Sequence, residues 1–281
     1  MEDKILDGKA LALKIREDIK SQVNDLKESQ GITPGLAVIL AGNDPASISY
    51  VNMKEKACIE GGFYSEVHRL SENTSQSQIL SLIDDLNNNK KIHGILVQLP
   101  LPGKIDEKIV NQRIDPKKDV DGFNPINLGK LFLKTPSFQP CTPKGIIRLL
   151  KHYKIDIEGK HALIIGRSDI VGKPTATLLL HENATVTLCH SKTEDLSSHT
   201  KKADIIVAAL GKPNFITGKM IKEGVIIIDA GTTKVGNKLI GDVDFQDVYE
   251  KVGKITPVPG GVGPMTIAML LENTLEAVLE K

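Results

Sequence analysis

Tyr50 and Lys54 stand four residues apart in a segment of helical character, residues 46–60, so both project from one face. A lysine desolvated in a cleft loses its charge more easily and can act as general acid or base near neutral pH. The tyrosine hydroxyl can hold a substrate or orient the amine. The plainer alternative is a surface lysine beside a partly buried tyrosine. Gln98 closes the apolar run GILVQLPLP, residues 94–102, and an amide at the end of a buried strand must find partners or reach a cleft. A satisfied structural amide is its equal rival. Asp119 and Asp121 lie in the turn KDVDGF. Paired acids in a turn serve as caps or solvated loop residues, or else one carboxylate bonds a heterocycle with adjacent N–H donors. His190 beside Cys189 has no further ligand at metal spacing, so no metal site is expected.

A second constellation lies in residues 160–191, KHALIIGRSDIVGKPTATLLLHENATVTLCHS. An apolar run at 162–165 predicts a buried strand, Gly166 to Gly172 a turn, 173–181 a helix with Pro174 in its first turn, and 184–189 a second strand. Such a strand–turn–helix aims backbone N–H groups at a phosphate, whereas in an ordinary crossover the glycines only make the turn. The turn departs from G-x-G-x-x-G, because Gly166 and Gly172 are six apart and Ser168 takes the middle place. The second strand ends in Cys189-His190-Ser191-Lys192, without the carboxylate that bonds the ribose hydroxyl in NAD sites. Arg167 and Ser191, with Lys192 nearby, can instead hold a 2′-phosphate, which favours NADP over NAD. Tyr-x-x-x-Lys also marks short-chain dehydrogenases, but there it follows the glycine turn. Here it precedes Gly166 by more than a hundred residues, and that reading is set aside.

The elements that must position these groups are legible in outline. Leu11, Ile15, Ile19, Val23 and Leu26 make an amphipathic helix ending near Gly31. Strands follow at 36–40, 63–70 and 94–99, with helices at 46–60 and 75–86 between them. Residues 111–143, punctuated by Asp, Gly and Pro, read as loops leading to a helix at 142–153. Beyond the central unit come strands at 204–209, 225–229 and 255–258, and a helix at 264–279 after the glycine-rich 259–264. This alternation predicts parallel sheets covered by helices.

The 281 residues suffice for two domains, and 40% hydrophobic with 25% charged residues suits a globular chain. A net charge of +1 gives no electrostatic footprint for nucleic acid or an anionic membrane. No apolar run approaches the roughly twenty residues of a membrane span, and the first residues lack a signal peptide's apolar core. Three widely spaced cysteines, Cys58, Cys141 and Cys189, suit a reducing cytoplasm better than a disulfide framework.

Taken together, the stretches YVNMK at 50–54, GILVQLPLP, KDVDG at 118–122, PCTP at 140–143, the Gly166 turn, Cys189-His190-Ser191 and PGGVGPMT at 259–266 resemble the bifunctional methylenetetrahydrofolate dehydrogenase/methenyltetrahydrofolate cyclohydrolase family over nearly the whole chain. The resemblance implies that Lys54 is the acid–base lysine of the cyclohydrolase step and that Gln98 bonds it and helps keep it neutral. It implies a folate pocket of Ser47, Tyr50, Leu99, Pro100 and Asp121, with Asp121 anchoring the pterin ring. Gly260, Gly261 and Pro264 are expected near substrate and nicotinamide, in a cleft between domains. Gly166, Arg167, Ser168, Gly172, His190, Ser191 and Thr232 are expected around the dinucleotide. One departure touches that region: the chain reads Ala230-Gly231-Thr232-Thr233 where the family often reads Val-Gly-Ile-Asn.

The expected architecture is α/β: an N-terminal parallel-sheet folate domain, residues 1–143, joined by the C-terminal helix 264–281, and a Rossmann-like dinucleotide domain, residues 144–263. The expected function is NADP-linked oxidation of 5,10-methylenetetrahydrofolate followed by hydrolysis to 10-formyltetrahydrofolate, in a cytoplasmic homodimer without nucleic-acid or membrane partners. The alternatives are a dehydrogenase with weak or absent cyclohydrolase activity and a non-catalytic dinucleotide-binding or sensor protein.

Overall fold

The computed structural model describes residues 4–236 and 238–279. They fall into two compact units, Leu13–Cys141 with Ile267–Lys281, and Met1–Ala12 with Thr142–Thr266. Each is an α/β unit on a parallel sheet, one of three strands and one of five.

Toward and through the three-stranded unit the chain runs α1 (Gly8–Gln30), β1 (Gly35–Ala41), α2 (Pro45–Glu60), β2 (Tyr64–Leu70), α3 (Gln76–Asn88), β3 (Gly94–Val97), α4 (Glu107–Arg113), α5 (Pro125–Phe132) and α6 (Cys141–His152). The sheet order is β2-β1-β3, with Val38 level with Val67 on one side and Leu96 on the other. GLAVILA is apolar throughout because β1, the central strand, is buried on both faces. Ile39, Ile79, Ile83, Ile95 and Val97 fill the core on one side, each contributing roughly 1.5–3 kcal/mol by leaving water.

Residues 111–143 are not all loop. They hold the end of α4 and the whole of α5. Both helices start at side-chain caps: Asp106 accepts from the Lys108 and Ile109 amides, and Asn124 accepts from Ile126 with Pro125 at the first helical position. At seven and eight residues they are too short to print a periodic apolar stripe.

The five-stranded unit continues with β4 (His161–Ile165), α7 (Gly172–His181), β5 (Thr185–Cys189), α8 (Leu196–Thr200), β6 (Ile205–Ala208), β7 (Ile226–Asp229), the antiparallel pair β8 (Thr233–Val235) and β9 (Lys238–Ile240), α9 (Phe245–Val248), β10 (Lys254–Ile255) and α10 (Val262–Leu279). Its order, β10-β7-β6-β4-β5, reverses direction between β4 and β6, and ligands collect at such a switch point. The sequence reading assigns residues 1–12 to the first domain, but of these the described residues, 4–12, group with this unit. Ile5 bridges Ile255, Leu6 donates to the Ile255 carbonyl at 2.8 Å, and Lys9 donates to Gly260 at 2.8 Å. Pairing across some 250 residues leaves no local signature.

The C-terminal part of α10 returns to the three-stranded unit, where Asn273 Nδ2 donates to the carbonyls of Val120 at 2.8 Å and Gln139 at 3.0 Å. At 18 residues and mean hydropathy 1.2, α10 has the length and composition of a membrane span, and 61% of it is buried inside the fold. Glu272, Asn273, Thr274 and Glu276 break the run, so no unbroken apolar stretch announces it.

Candidate active site

In the three-stranded unit, α2 is anchored by Asp44, whose carboxylate accepts from the Ser47 amide at 2.7 Å, with Pro45 in the first turn. Ser47, Val51, Lys54, Ala57 and Cys58 form its buried face. Lys54 therefore occupies a position that periodicity reserves for an apolar side chain, and it is only 8% exposed. Its amine end is met by Gln98: Lys54 Nζ donates to Gln98 Oε1 at 2.9 Å. The other end of the amide, Gln98 Nε2, donates to the Leu99 carbonyl at 2.7 Å, which fixes the amide with its oxygen toward the lysine. The Gln98 backbone is still tied to the sheet by its N–H to Ile39 O at 2.8 Å. Tyr50 is half-buried one turn before Lys54, and the Leu99–Pro100 bond is cis.

Asp119 and Asp121, which spacing alone does not tell apart, have different tasks. Asp119 is buried and accepts from Phe123 N at 3.1 Å, Asn124 N at 2.8 Å and Asn127 Nδ2 at 2.8 Å, so it builds the loop. Burial pushes its carboxyl up to about 7 against those hydrogen bonds. Asp121 is the carboxyl within electrostatic reach of Lys54. Burial raises it above the usual carboxylate range, while the Lys54 charge and a hydrogen bond from the Cys141 thiol pull it back. The reading from sequence gave Cys141 and Asn273 no part in the site. Cys141 Sγ also lies 3.2 Å from Val120 O, and Asn273 holds the same carbonyl, so both brace the backbone beside Asp121. Only the PCTP motif hinted at Cys141, and nothing local at Asn273.

In the five-stranded unit, Gly166 has φ +129° and a Cβ there would stand 2.1 Å from the Ala209 carbonyl oxygen. A Cβ on Gly172 would stand 2.2 Å from the Gly166 oxygen. The two glycines therefore let the β4 turn lie against the end of β6, at the switch point. We expect Gly166→Ala to destabilise the protein by about 3 kcal/mol through clash and a disfavoured φ, read as a lowered urea midpoint. An unchanged midpoint would mean the turn yields without cost.

Ser168 closes its own turn: its Oγ accepts from the amides of Val171 and Gly172, both at 3.2 Å, just before α7. Arg167 and Ser191 are exposed two residues beyond Ile165 and Cys189, which are level in the sheet. The His190 ring turns inward to its own loop, with Nδ1 accepting from Lys192 N at 3.1 Å. Asp195 caps α8 by accepting from Ser198 N. Thr232 is exposed before β8. Gly260 and Gly261 pack within this unit: the Gly260 carbonyl accepts from Lys9 N, and a Cβ on Gly261 would meet Pro257 O at 2.6 Å. Pro264 lies in the first turn of α10. Among the described residues no group of three or more His, Cys, Asp or Glu is arranged to hold a metal ion.

A doubly wound sheet with a glycine turn at its switch point, in one chain with a buried lysine held by an amide, defines a two-domain enzyme of the dinucleotide-binding class. Comparison with known proteins narrows this. The catalytic domain of the tetrahydrofolate dehydrogenase/cyclohydrolase family matches residues 6–121, and that family's NAD(P)-binding domain matches residues 140–281. The chain belongs to the tetrahydrofolate dehydrogenase/cyclohydrolase family. It is 58% identical over 278 residues to the bifunctional protein FolD of Moorella thermoacetica, covering 99% of each chain. Its fold matches the crystal structure of the bifunctional enzyme FolD of Campylobacter jejuni with a TM-score of 0.96 and 53% identity, over 98% of both chains. The Trypanosoma brucei methylenetetrahydrofolate dehydrogenase-cyclohydrolase, solved with NADP and an inhibitor, matches with a TM-score of 0.95 and 38% identity, over 98% of this chain and 97% of that one.

Proposed function

We propose that Lys54, Gln98, Tyr50 and Asp121 carry the folate chemistry of this chain and that the Gly166 turn, Arg167 and Ser191 hold its NADP. The chain oxidises 5,10-methylenetetrahydrofolate to 5,10-methenyltetrahydrofolate with NADP and hydrolyses the product to 10-formyltetrahydrofolate. The observation that carries the residue assignment is the buried Lys54 bonded to Gln98 at 2.9 Å.

The two close-packed glycines and the exposed Arg167 and Ser191 fit a dinucleotide carrying a 2′-phosphate. When bound, NADP takes up the hydride of the oxidation. The chain's own contribution to that step is position, since the nitrogen lone pairs of the folate already activate the bridging carbon. Asp121 bonds adjacent N–H donors of the pterin, and Ser47 and Tyr50 line the same pocket with Leu99 and Pro100. In hydrolysis, Lys54 takes a proton from water as its oxygen bonds the methenyl carbon, and that proton leaves to solvent. Lys54 then relays the remaining hydroxyl proton to N5 as the carbon–N5 bond breaks. Gln98 holds the amine on line throughout.

The same reading includes Gly260, Gly261 and Pro264 near the substrate, Ser168, Gly172, His190 and Thr232 around the cofactor, and a cytoplasmic homodimer. The three cysteines, all buried and none in a disulfide, support a reducing compartment. A non-catalytic dinucleotide sensor would have no need to bury Lys54 against an amide.

The test is an absorbance assay with methylenetetrahydrofolate and either NADP or NAD, following reduced cofactor and methenyl intermediate together. Reduction with NADP without lasting methenyl accumulation is the expected outcome. Accumulating methenyl would overturn the role of Lys54, and preference for NAD would overturn that of Arg167 and Ser191.

A further inference from the structure

Two buried carboxylates in the five-stranded unit have no part in the chemistry above. Asp242 is 0% exposed, and its carboxylate accepts from three consecutive backbone amides, Leu210, Gly211 at 3.0 Å and Lys212 at 2.7 Å. Asp229, at 3% exposure, accepts from Gly231 N at 2.9 Å, Asp242 N at 3.0 Å and Val243 N at 2.9 Å. Six N–H groups thus converge on two neighbouring acids.

The two are crossed. A Cβ on Gly231, two residues after Asp229, would lie 2.2 Å from Asp242 Cγ. A Cβ on Gly241, just before Asp242, would lie 2.0 Å from Asp229 Oδ2. Each glycine clears space for the other arm's carboxylate, and together they close the segment that carries Thr232, β8 and β9. The amides that Asp242 gathers begin one residue past Ala209, whose carbonyl faces Gly166. Burying an acid is costly when apolar residues would fill the same volume, so a carboxylate kept there is expected to specify an arrangement.

We infer that Asp242, braced by Asp229, is a positioning residue for the dinucleotide: it holds loop 210–212 and the Thr232 segment at the carboxyl ends of β6 and β7 in the arrangement that receives the cofactor. This rests on the NADP reading given above. The acids touch backbone amides and act through the loops those amides belong to.

The cyclohydrolase reaction, whose proton-moving Lys54 and its partner Gln98 belong to the other unit and which requires no dinucleotide, provides an internal control. In Asp242→Asn one oxygen becomes an N–H donor facing other donors. The KM for NADP and its Kd by calorimetry are expected to rise about tenfold or more, while cyclohydrolase kcat and KM stay at wild-type values. Asp242→Glu keeps the charge but displaces it by one methylene, so a smaller rise with cyclohydrolase intact is expected, which guards against a misfolded Asn variant. If both activities fall in parallel in both variants, the pair is merely structural and the inference is wrong. If neither variant changes NADP affinity, it is equally wrong. A wild-type protein that binds no NADP in the same calorimeter would instead overturn the cofactor reading itself.

Discussion

Lys54→Met is expected to all but stop hydrolysis of methenyltetrahydrofolate and to leave NADP affinity unchanged. Methionine matches the unbranched length of lysine and is apolar, so it suits the buried face that Lys54 shares with Val51, Ala57 and Cys58. The helix should keep its place while the one group able to move a proton there is gone. Proton transfer by a positioned side chain is worth about 10²–10⁴-fold, and that is the expected fall in cyclohydrolase kcat. The oxidation step asks for no side-chain acid, so methenyl product should build up in the dehydrogenase assay. Lys54→Arg separates charge from basicity: a guanidinium keeps the positive charge but stays protonated, and should be nearly as inactive. Hydrolysis surviving in both variants would remove Lys54 from the mechanism. A matching loss of NADP affinity in Lys54→Met would mean that the substitution disturbs the fold.

How far this site can be read from sequence depends on how local each signal is. The Gly166 turn is a local event, a strand, two glycines and a helix within thirty residues, and its outline is plain. Lys54 is legible only as a residue that shares a helix face with Tyr50; the same spacing suits a surface lysine, and that the face is buried depends on what packs against it. Gln98 is legible because an amide at the end of an apolar strand must be satisfied. Spacing alone does not separate Asp119 from Asp121, and only the family resemblance singles out Asp121, since which acid turns to the loop depends on how the chain folds back to bring Asn124 and Asn127 onto Asp119 and Cys141 onto Asp121. Ser168 has the right type for a phosphate contact, yet its hydroxyl caps the turn it sits in. The short helices α4 and α5 declare themselves only by their caps. The crossed Asp229 and Asp242 join two segments whose partners are set by sheet order, which no spacing encodes.

Asp121→Asn is expected to raise the KM for both folate substrates about 100-fold, leave NADP binding unchanged and remove the acid limb of the pH profile. A carboxylate offers two acceptors to adjacent pterin N–H donors, whereas an amide offers one and opposes the other with a donor. Loss of a charge-assisted, paired hydrogen bond of this kind costs about 3 kcal/mol. The pH argument follows from the surroundings of the carboxyl. Burial raises it, and the Lys54 charge and the Cys141 hydrogen bond lower it less than burial raises it. Folate binding needs the ionised form, so kcat/KM for folate should fall as pH drops through this raised value, at higher pH than an exposed aspartate would give. Removing a charge that holds the carboxyl down pushes it up further. In Lys54→Met, therefore, the acid limb of the surviving dehydrogenase activity should move to higher pH, while in Asp121→Asn it should vanish. An unmoved limb in Lys54→Met would uncouple the two groups, and an Asn variant that binds folate within about twofold of wild type would remove Asp121 from the pocket.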